Sequence, residues 1–530
     1  GEPVALAGAA QAPAAGDGPI QPKLGFEIEV ANIEVATVVP NERVAKKYLA
    51  PYSDRYVKVL SEIRGRDHLV TGNLLPTDDE DAFKFTAMRK KDPILIGDGF
   101  VVEADESNAH GKTNLEFVTE AIDDDLAGAM RLSGIMTRIT AVCDELERRK
   151  DRLGEKDKNS PKKIASQYVV AEELHEFGTP VHGAILLPRG ALQGVMQVTT
   201  GILLDQVAEM LGDLAAPQDE DPQLALKRMP GRYVMGGAIG GHFASNSPTA
   251  RGPGDAVAAV KRFKQVSDID TRYALGQRIA NNQPTSYYDA SESKFGSNEL
   301  IGLLSLLITY TRMAKGPLQG YAKTIAPLMA RTDFAKMFKM LPPLEAALLG
   351  GSNAGHFVEL VQLAVGDDID IYKPVFENGL YHMWANDPRL DTNALKGLSR
   401  EEWFREIAQG TDRLTAKNFD PNSNKPTGDL ESLGSFGAKT ETVGAGREDA
   451  PIFEMRSLGQ MDFQHWYARA MDLFRYIRGL NDRTGAFFRD TVTDLLTPQQ
   501  QQALVDRNRR DEVRSLLKLG LENELREMLG

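Results

Sequence analysis

Cysteine is almost absent from this 530-residue chain: Cys143 stands alone, so no internal disulfide can form and folding needs no oxidising compartment. Long apolar runs are missing too. None reaches the roughly 20 residues needed to span a bilayer, and the N-terminal stretch lacks the charged-then-apolar pattern of a signal peptide. Basic charge is in deficit: the formal net charge of −13 argues against a duplex-nucleic-acid binder, which carries a basic face. These absences point to a protein acting in a cytoplasm, made there or delivered there, with neither membrane nor nucleic acid as partner. An acidic protein that handles nucleotides brings magnesium with it to offset the repulsion.

What is present is ordinary globular composition, 42% hydrophobic and 26% charged, on a chain long enough for two or three domains. Residues 1–22, rich in Ala, Pro and Gly, read as a flexible leader. From Gly25 to Val30 apolar and acidic residues alternate, the period-2 signature of a strand. Further strands are predicted at Phe100–Asp105, Asn114–Thr119, Gly183–Leu187, Val195–Ile202 and Pro451–Ser457. A helix is predicted over about 123–150, running into a charged linker, Arg148–Lys163, that contains Pro161. The span 205–410 reads as mainly helical, with apolar periodicity in Leu300–Met313 and Asp333–Leu341 and breaks at Ser245–Gly254 and Gly350–Gly355. Residues 411–450 form the longest turn-rich stretch, a loop or lid. Phe463, Trp466, Tyr467, Met471, Phe474 and Ile477 recur at helical spacing, which predicts a core-facing stripe. The expected organisation is a catalytic α+β domain begun by 23–204, a helical insertion over 205–410, the loop, and closing elements over 451–530.

The chemistry lies in the carboxylates. Glu27 with Glu29, Glu103 with Asp105, Glu116, and Glu454 beside Arg456 all project opposite the apolar residues of their strands. Solvated sheet faces also alternate, but such faces mix Lys, Thr and Ser with Glu. Like charges opposed across strands are destabilising. A face this acidic needs cations, and magnesium bridged to phosphate oxygens is a natural supply. Glu454 and Arg456, two apart on a strand, leave the same face about 6–7 Å from one another.

Gly25-Phe26-Glu27-Ile28-Glu29 resembles the opening strand of the amidoligase and glutamate–cysteine ligase families of the glutamine synthetase superfamily. The segment from Asp105 through Asn114-Leu115-Glu116-Phe117-Val118-Thr119 is similar to their second and third strands. Phe453-Glu454-Met455-Arg456, followed by an aromatic helix with Trp466, resembles their late Glu-x-Arg strand. The resemblance covers about a third of the chain, and its motifs occur in the family's order. It implies an antiparallel catalytic sheet with a large helical insertion and an ATP- and magnesium-dependent ligase. In such an enzyme ATP phosphorylates a carboxylate, on a small molecule or a protein, and an amine attacks the acyl phosphate. Carried over by position, Glu27, Glu29, Glu116 and Glu454 would ligate two or more magnesium ions, and Asp105 or Glu103 would help hold the amine or a further metal. Glu116 and Arg456 would be catalytic, with Arg456 offsetting charge on the transferred phosphoryl group.

The sequence departs from the family where a strand histidine is expected. Val195–Thr199 offers Gln197 and Thr199 on the inward face instead, the candidate nucleotide-binding side chains beside Arg456; His182 and His242 lie nearby in sequence. Two alternatives therefore stay open: a phosphotransferase on the same fold with a guanidino or hydroxyl acceptor, and a degenerate scaffold that binds without catalysis. The leader joined to Ile20–Leu24 resembles junctions in modular bacterial toxins, which implies a substrate in a target cell.

Other signals fail on spacing. Gly111-Lys112-Thr113 ends like a phosphate-binding loop, but Glu106 stands where its first glycine is required. His175-Glu176 opens like a zinc-protease helix, but Thr179 takes the second ligand position. The glycines at 236–241 read equally as a tight turn or a close backbone approach. Cys143 reads as a buried, inert thiol.

Overall fold

The computed structural model describes residues 23–40, 70–74, 83–87, 91–107, 113–150, 169–180, 185–188, 190–214, 251–285, 293–315, 328–330, 332–367, 369–374, 398–411, 442–443, 450–455 and 460–481. The leader 1–22, the linker beyond residue 150, His182, the glycines at 236–241, His242, all but a few residues of the 411–450 loop, and Arg456 lie outside the described residues.

The first half of the chain is strand-rich: β1 (Lys23–Pro40), β2 (Val70–Leu74), β3 (Phe83–Ala87), β4 (Pro93–Ile96), β5 (Phe100–Ser107), β6 (Thr113–Thr119) and β7 (Ile122–Asp123). Helix α1 (Leu126–Lys150) follows, then β8 (Val169–Val170), β9 (Thr179–Pro180), β10 (Ile185–Pro188) and β11 (Gln193–Gly201). The next span is helical: α2 (Val207–Leu214), α3 (Gly252–Val266), α4 (Ile269–Ala280) and α5 (Asn298–Lys315). After strand β12 (Leu328–Ala330) come α6 (Phe334–Lys339), α7 (Pro343–Leu349), α8 (Ala354–Val365) and α9 (Arg400–Gln409). The chain closes with β13 (Thr442–Val443), β14 (Ala450–Met455), β15 (Gln460–Asp462) and α10 (Trp466–Leu480). This is an α+β protein.

The sheet runs β12-β14-β11-β1-β6-β5-β4-β9, with the remaining strands paired at its margins. The pairings along this path are antiparallel. Cross-strand partners share a face, so the register sorts the side chains. Phe26 is opposite Val198, Ile28 lies between Met196 and Phe117, Val30 is opposite Leu115, and Val198 is opposite Met455. All of these are buried. That layer is the core face, and it dictates that the acidic residues between them point the other way.

Helices α1 and α10 cover the core face. Leu132, Ile135, Met136, Ile139, Val142, Cys143 and Leu146 of α1 are fully buried, a stripe at the 3.6-residue period. Trp466 opens α10 and meets Phe117 edge-on at 6.0 Å. Gly194 makes room for it: a Cβ there would lie 2.6 Å from Trp466 Cζ2 and 2.8 Å from the Glu29 carbonyl oxygen. Of the aromatic stripe, Trp466, Phe474 and Ile477 are buried, whereas Tyr467 is exposed and reaches across to Ser133 of α1 at 2.8 Å.

The helical span packs around α5, whose Leu300, Leu303, Leu304, Leu306, Leu307 and Ile308 are all fully buried. A helix apolar on so many sides belongs inside a bundle. Gly302 lets it touch the turn after β11, since a Cβ there would lie 1.9 Å from the Leu204 carbonyl oxygen. The Tyr310 hydroxyl accepts a bond from Ala330 N at 2.8 Å, and Thr332 Oγ1 accepts one from Ile452 N at 2.8 Å. These bonds tie the bundle to the β12–β14 edge of the sheet. Two expected breaks are shorter than the sequence suggests. Helix α3 begins at Gly252, with Pro253 in its first turn, where a missing N–H costs nothing. Helix α8 begins at Ala354, leaving only 350–353 as the break. Among the described residues no helix is long and apolar enough to cross a membrane.

Candidate functional site

On the face opposite the core, Glu29 of β1 is opposite Glu116 of β6, and Glu116 is opposite Glu103 of β5. Three carboxylates therefore form one row across three adjacent strands. Glu27 and Asp105 sit two residues along their strands and share that face. Glu27 is opposite Gln197 of β11, and the next residue of that face, Thr199, is opposite Glu454 of β14. The alternation that builds the core thus delivers every one of these polar groups to one surface.

Within it, Glu29, Asp105 and Glu116 converge: one oxygen from each lies within 4.8 Å of the others. Glu116 and Asp105 are buried and Glu29 is half-buried. Gln197 Nε2 donates to Glu29 Oε1 at 2.8 Å, fixing that carboxylate from the neighbouring strand. Glu454 is on the same face but two strands from β1, roughly 10 Å across the sheet, and is not part of the convergent trio.

Burial of like charges dominates the electrostatics. Burial first, then the charge of Glu27, push the Glu116 carboxyl up to about 8 against the opposing pull of Lys91; Asp105 and Glu103 add to the rise. In the absence of a cation Glu116 therefore gives up its proton less readily than an ordinary carboxyl. Lys91 Nζ lies 2.9 Å from Glu103 Oε1 and 3.6 Å from Glu116 Oε2. Burial lowers its affinity for a proton, but the Glu103 hydrogen bond and the charges of Glu116, Glu27 and Glu103 outweigh that and hold the ammonium well above its usual range.

Lys91 and the full role of Glu103 escape a reading of the sequence. Lys91 precedes β4 in a turn, outside any alternating run, and the only signal is its place in the basic run Arg89-Lys90-Lys91 just before Pro93. Residues 175–177 form a turn, not the helix a zinc-protease motif requires. Cys143 is fully buried, and burial, reinforced by Asp144 and Glu147, pushes its thiol well up, as an inert core thiol requires.

The trio's donors suit a hard divalent cation. All are carboxylate oxygens, the donor type that magnesium and calcium take. Buried carboxylates that repel one another gain most from such a charge.

No protein-family model and no curated protein matches the chain. Two solved structures are similar to it at 11% identity, each covering 83% of this chain and 96% of the other. One is a variant of the ACD domain of a VgrG toxin from Vibrio cholerae in complex with ADP and Mn²⁺, with a TM-score of 0.30. The other is a Vibrio cholerae toxin from the MARTX/VgrG family, with a TM-score of 0.27.

Proposed function

We propose that this chain is an ATP- and magnesium-dependent carboxylate–amine ligase of the glutamine synthetase type, acting as a toxin or effector in a target cytoplasm. The observation that supports this reading is the convergence of Glu29, Asp105 and Glu116 on a sheet face that also carries Glu27, Glu103, Gln197, Thr199 and Glu454. Glu29, Asp105 and Glu116 would hold a divalent cation, with Glu27 adding charge beside it. A cation held there offsets negative charge on nucleotide phosphates and on a phosphoryl group in transfer. Gln197 orients Glu29, and Thr199, next along β11, supplies a hydroxyl between the trio and Glu454. Glu454 extends the acidic face toward a second position along the phosphate chain. Arg456, two residues further in the sequence, supplies the guanidinium that stabilises transferring charge.

The test is direct. Melting is followed with ATP, ADP and GTP, each with and without Mg²⁺. ADP release is then measured with carboxylates and amines offered as small molecules and as protein side chains. A nucleotide that stabilises only with Mg²⁺, together with ADP release that needs both an acid and an amine, supports the ligase. ADP release that needs only a guanidino or hydroxyl compound makes the chain a phosphotransferase.

One observation favours a second reading, a binding scaffold without catalysis: Lys91 already pairs with Glu103 and Glu116 and so neutralises part of the cluster from within the chain. Nucleotide binding without ADP release under any substrate pair selects that reading. No stabilisation by any nucleotide with Mg²⁺ rejects both.

A further inference from the structure

We infer that Lys91 stands where a second divalent cation would otherwise sit, so that the acidic face accepts one cation, at Glu29, Asp105 and Glu116, and completes its charge between Glu103 and Glu116 with the lysine ammonium. The inference rests on the reading of the trio as a cation site and adds the number of ions the site takes.

Glu103 and Glu116 are directly opposed on β5 and β6, a like-charge pair that destabilises a sheet unless a cation lies between them. Lys91 Nζ provides it, at 2.9 Å from one and 3.6 Å from the other. Glu116 thus serves both the trio and the lysine.

The backbone fixes that placement. Lys91 has φ +71°, the left-handed region that strains a side-chain-bearing residue and leaves glycine unstrained. Its N–H donates to the Ala104 carbonyl at 2.7 Å, and Ala104 N donates to the Asp92 carbonyl at 3.0 Å. Pro93 is then in register with Glu103 itself. The turn is clamped to the residue beside Glu103, so the side chain leaves the backbone next to the carboxylate it pairs with. A glycine would make this turn more cheaply; the lysine is explained by its ammonium. The side chain is 53% exposed, so its position opens to solvent and a free ion can reach it once the amine is gone.

The experiment counts Mn²⁺ bound to the full chain without nucleotide, by electron paramagnetic resonance of the free ion and by calorimetry. Wild type and Lys91→Arg are expected to bind one Mn²⁺, and Lys91→Met two. Lys91→Met should also melt several degrees below wild type in EDTA and be restored by millimolar Mn²⁺, because the ion replaces the missing charge. One Mn²⁺ on Lys91→Met, or two on wild type, overturns the inference while leaving the cation site in place. A Lys91→Met protein that melts low and is not restored by Mn²⁺ also overturns it. No Mn²⁺ on wild type defeats the cation site, and this inference with it.

Discussion

Two side chains decide whether the acidic face binds an ion or merely tolerates its own charge. Glu116 lies at the meeting point of the trio, Glu27 and Lys91, and its carboxyl is pushed up by burial and by Glu27. Glu116→Gln keeps the shape and removes the charge. The ion-free variant is expected to melt above wild type at pH 9, since a buried repulsion is gone. Its Mn²⁺ affinity should fall about 100-fold or more, because a ligand is lost where even an outer partner is worth 10–100-fold. Calorimetry and melting on the same samples check this; a variant that is destabilised without Mn²⁺ and binds it unchanged contradicts it. Gln197 bonds the trio through Glu29. Gln197→Ala is expected to weaken Mn²⁺ about 10-fold and leave the ion-free melting temperature close to wild type. For Arg456, Arg456→Lys should bind nucleotide and lose about 100-fold in turnover, the cost of one donor to developing charge. Equal turnover removes Arg456 from the catalytic groups.

At the scale of the element, strands carry the site and glycines set how closely they can be covered. Gly194 on β11 lies where Trp466 of α10 presses on the sheet, and the facing backbone atom, the Glu29 carbonyl oxygen, cannot move aside as a flexible side chain would. Gly194→Val is expected to cost about 1–3 kcal/mol by overpacking and to weaken Mn²⁺ binding as well, because the strained strand pair is the one that carries Glu29 and Gln197. Denaturant unfolding and an ion titration check both; a large stability loss with unchanged affinity would separate packing from the site. The strands were legible because their period-2 pattern is clean: Phe26 and Ile28 against Glu27 and Glu29, Leu115 and Phe117 against Glu116, Phe453 and Met455 against Glu454. Alternation also fixes the face, so it is enough to say that these carboxylates share a side once the strands pair. It does not fix the order of strands. That Glu29, Asp105 and Glu116 meet while Glu454 stands two strands off follows from β11 lying between β1 and β14, which is long-range pairing no local pattern encodes. Lys91 was illegible for a different reason. Its side chain acts from a turn in left-handed backbone, and an isolated lysine in a basic run carries no periodicity. The helical span was legible in type and blurred at its ends: Gly350 does interrupt the chain, but Gly355 is simply a residue of α8's first turn.

For the whole molecule, the sheet and its covering helices are fastened at the end of β11 by another buried carboxylate, Asp124. Asn481, just past α10, donates to Asp124 at 3.3 Å and to the Gly201 carbonyl at 3.0 Å, and accepts from Leu203 N at 3.0 Å. One side chain thereby joins the C-terminal end of α10 to the ends of β7 and β11. Burial drives the Asp124 carboxyl up to about 7, against the Asn481 hydrogen bond and the Arg478 charge that favour ionisation. A folded-state value above the unfolded one means the native protein holds this proton more tightly. Its contribution to stability is therefore full below about pH 4 and is lost as the pH rises through about 7, at up to about 1.4 kcal/mol per unit. Asp124→Asn cannot ionise and keeps an oxygen for Asn481. Its stability relative to wild type, measured by urea unfolding in EDTA from pH 4 to 9, should rise steadily by a few kcal/mol up to about pH 7 and then level off. Taking the difference between the two proteins cancels the other buried carboxyls, Glu345 and Asp333 among them, whose values burial also raises. A difference independent of pH would mean that Asp124 does not hold its proton in the folded protein and that Asn481 alone makes the joint.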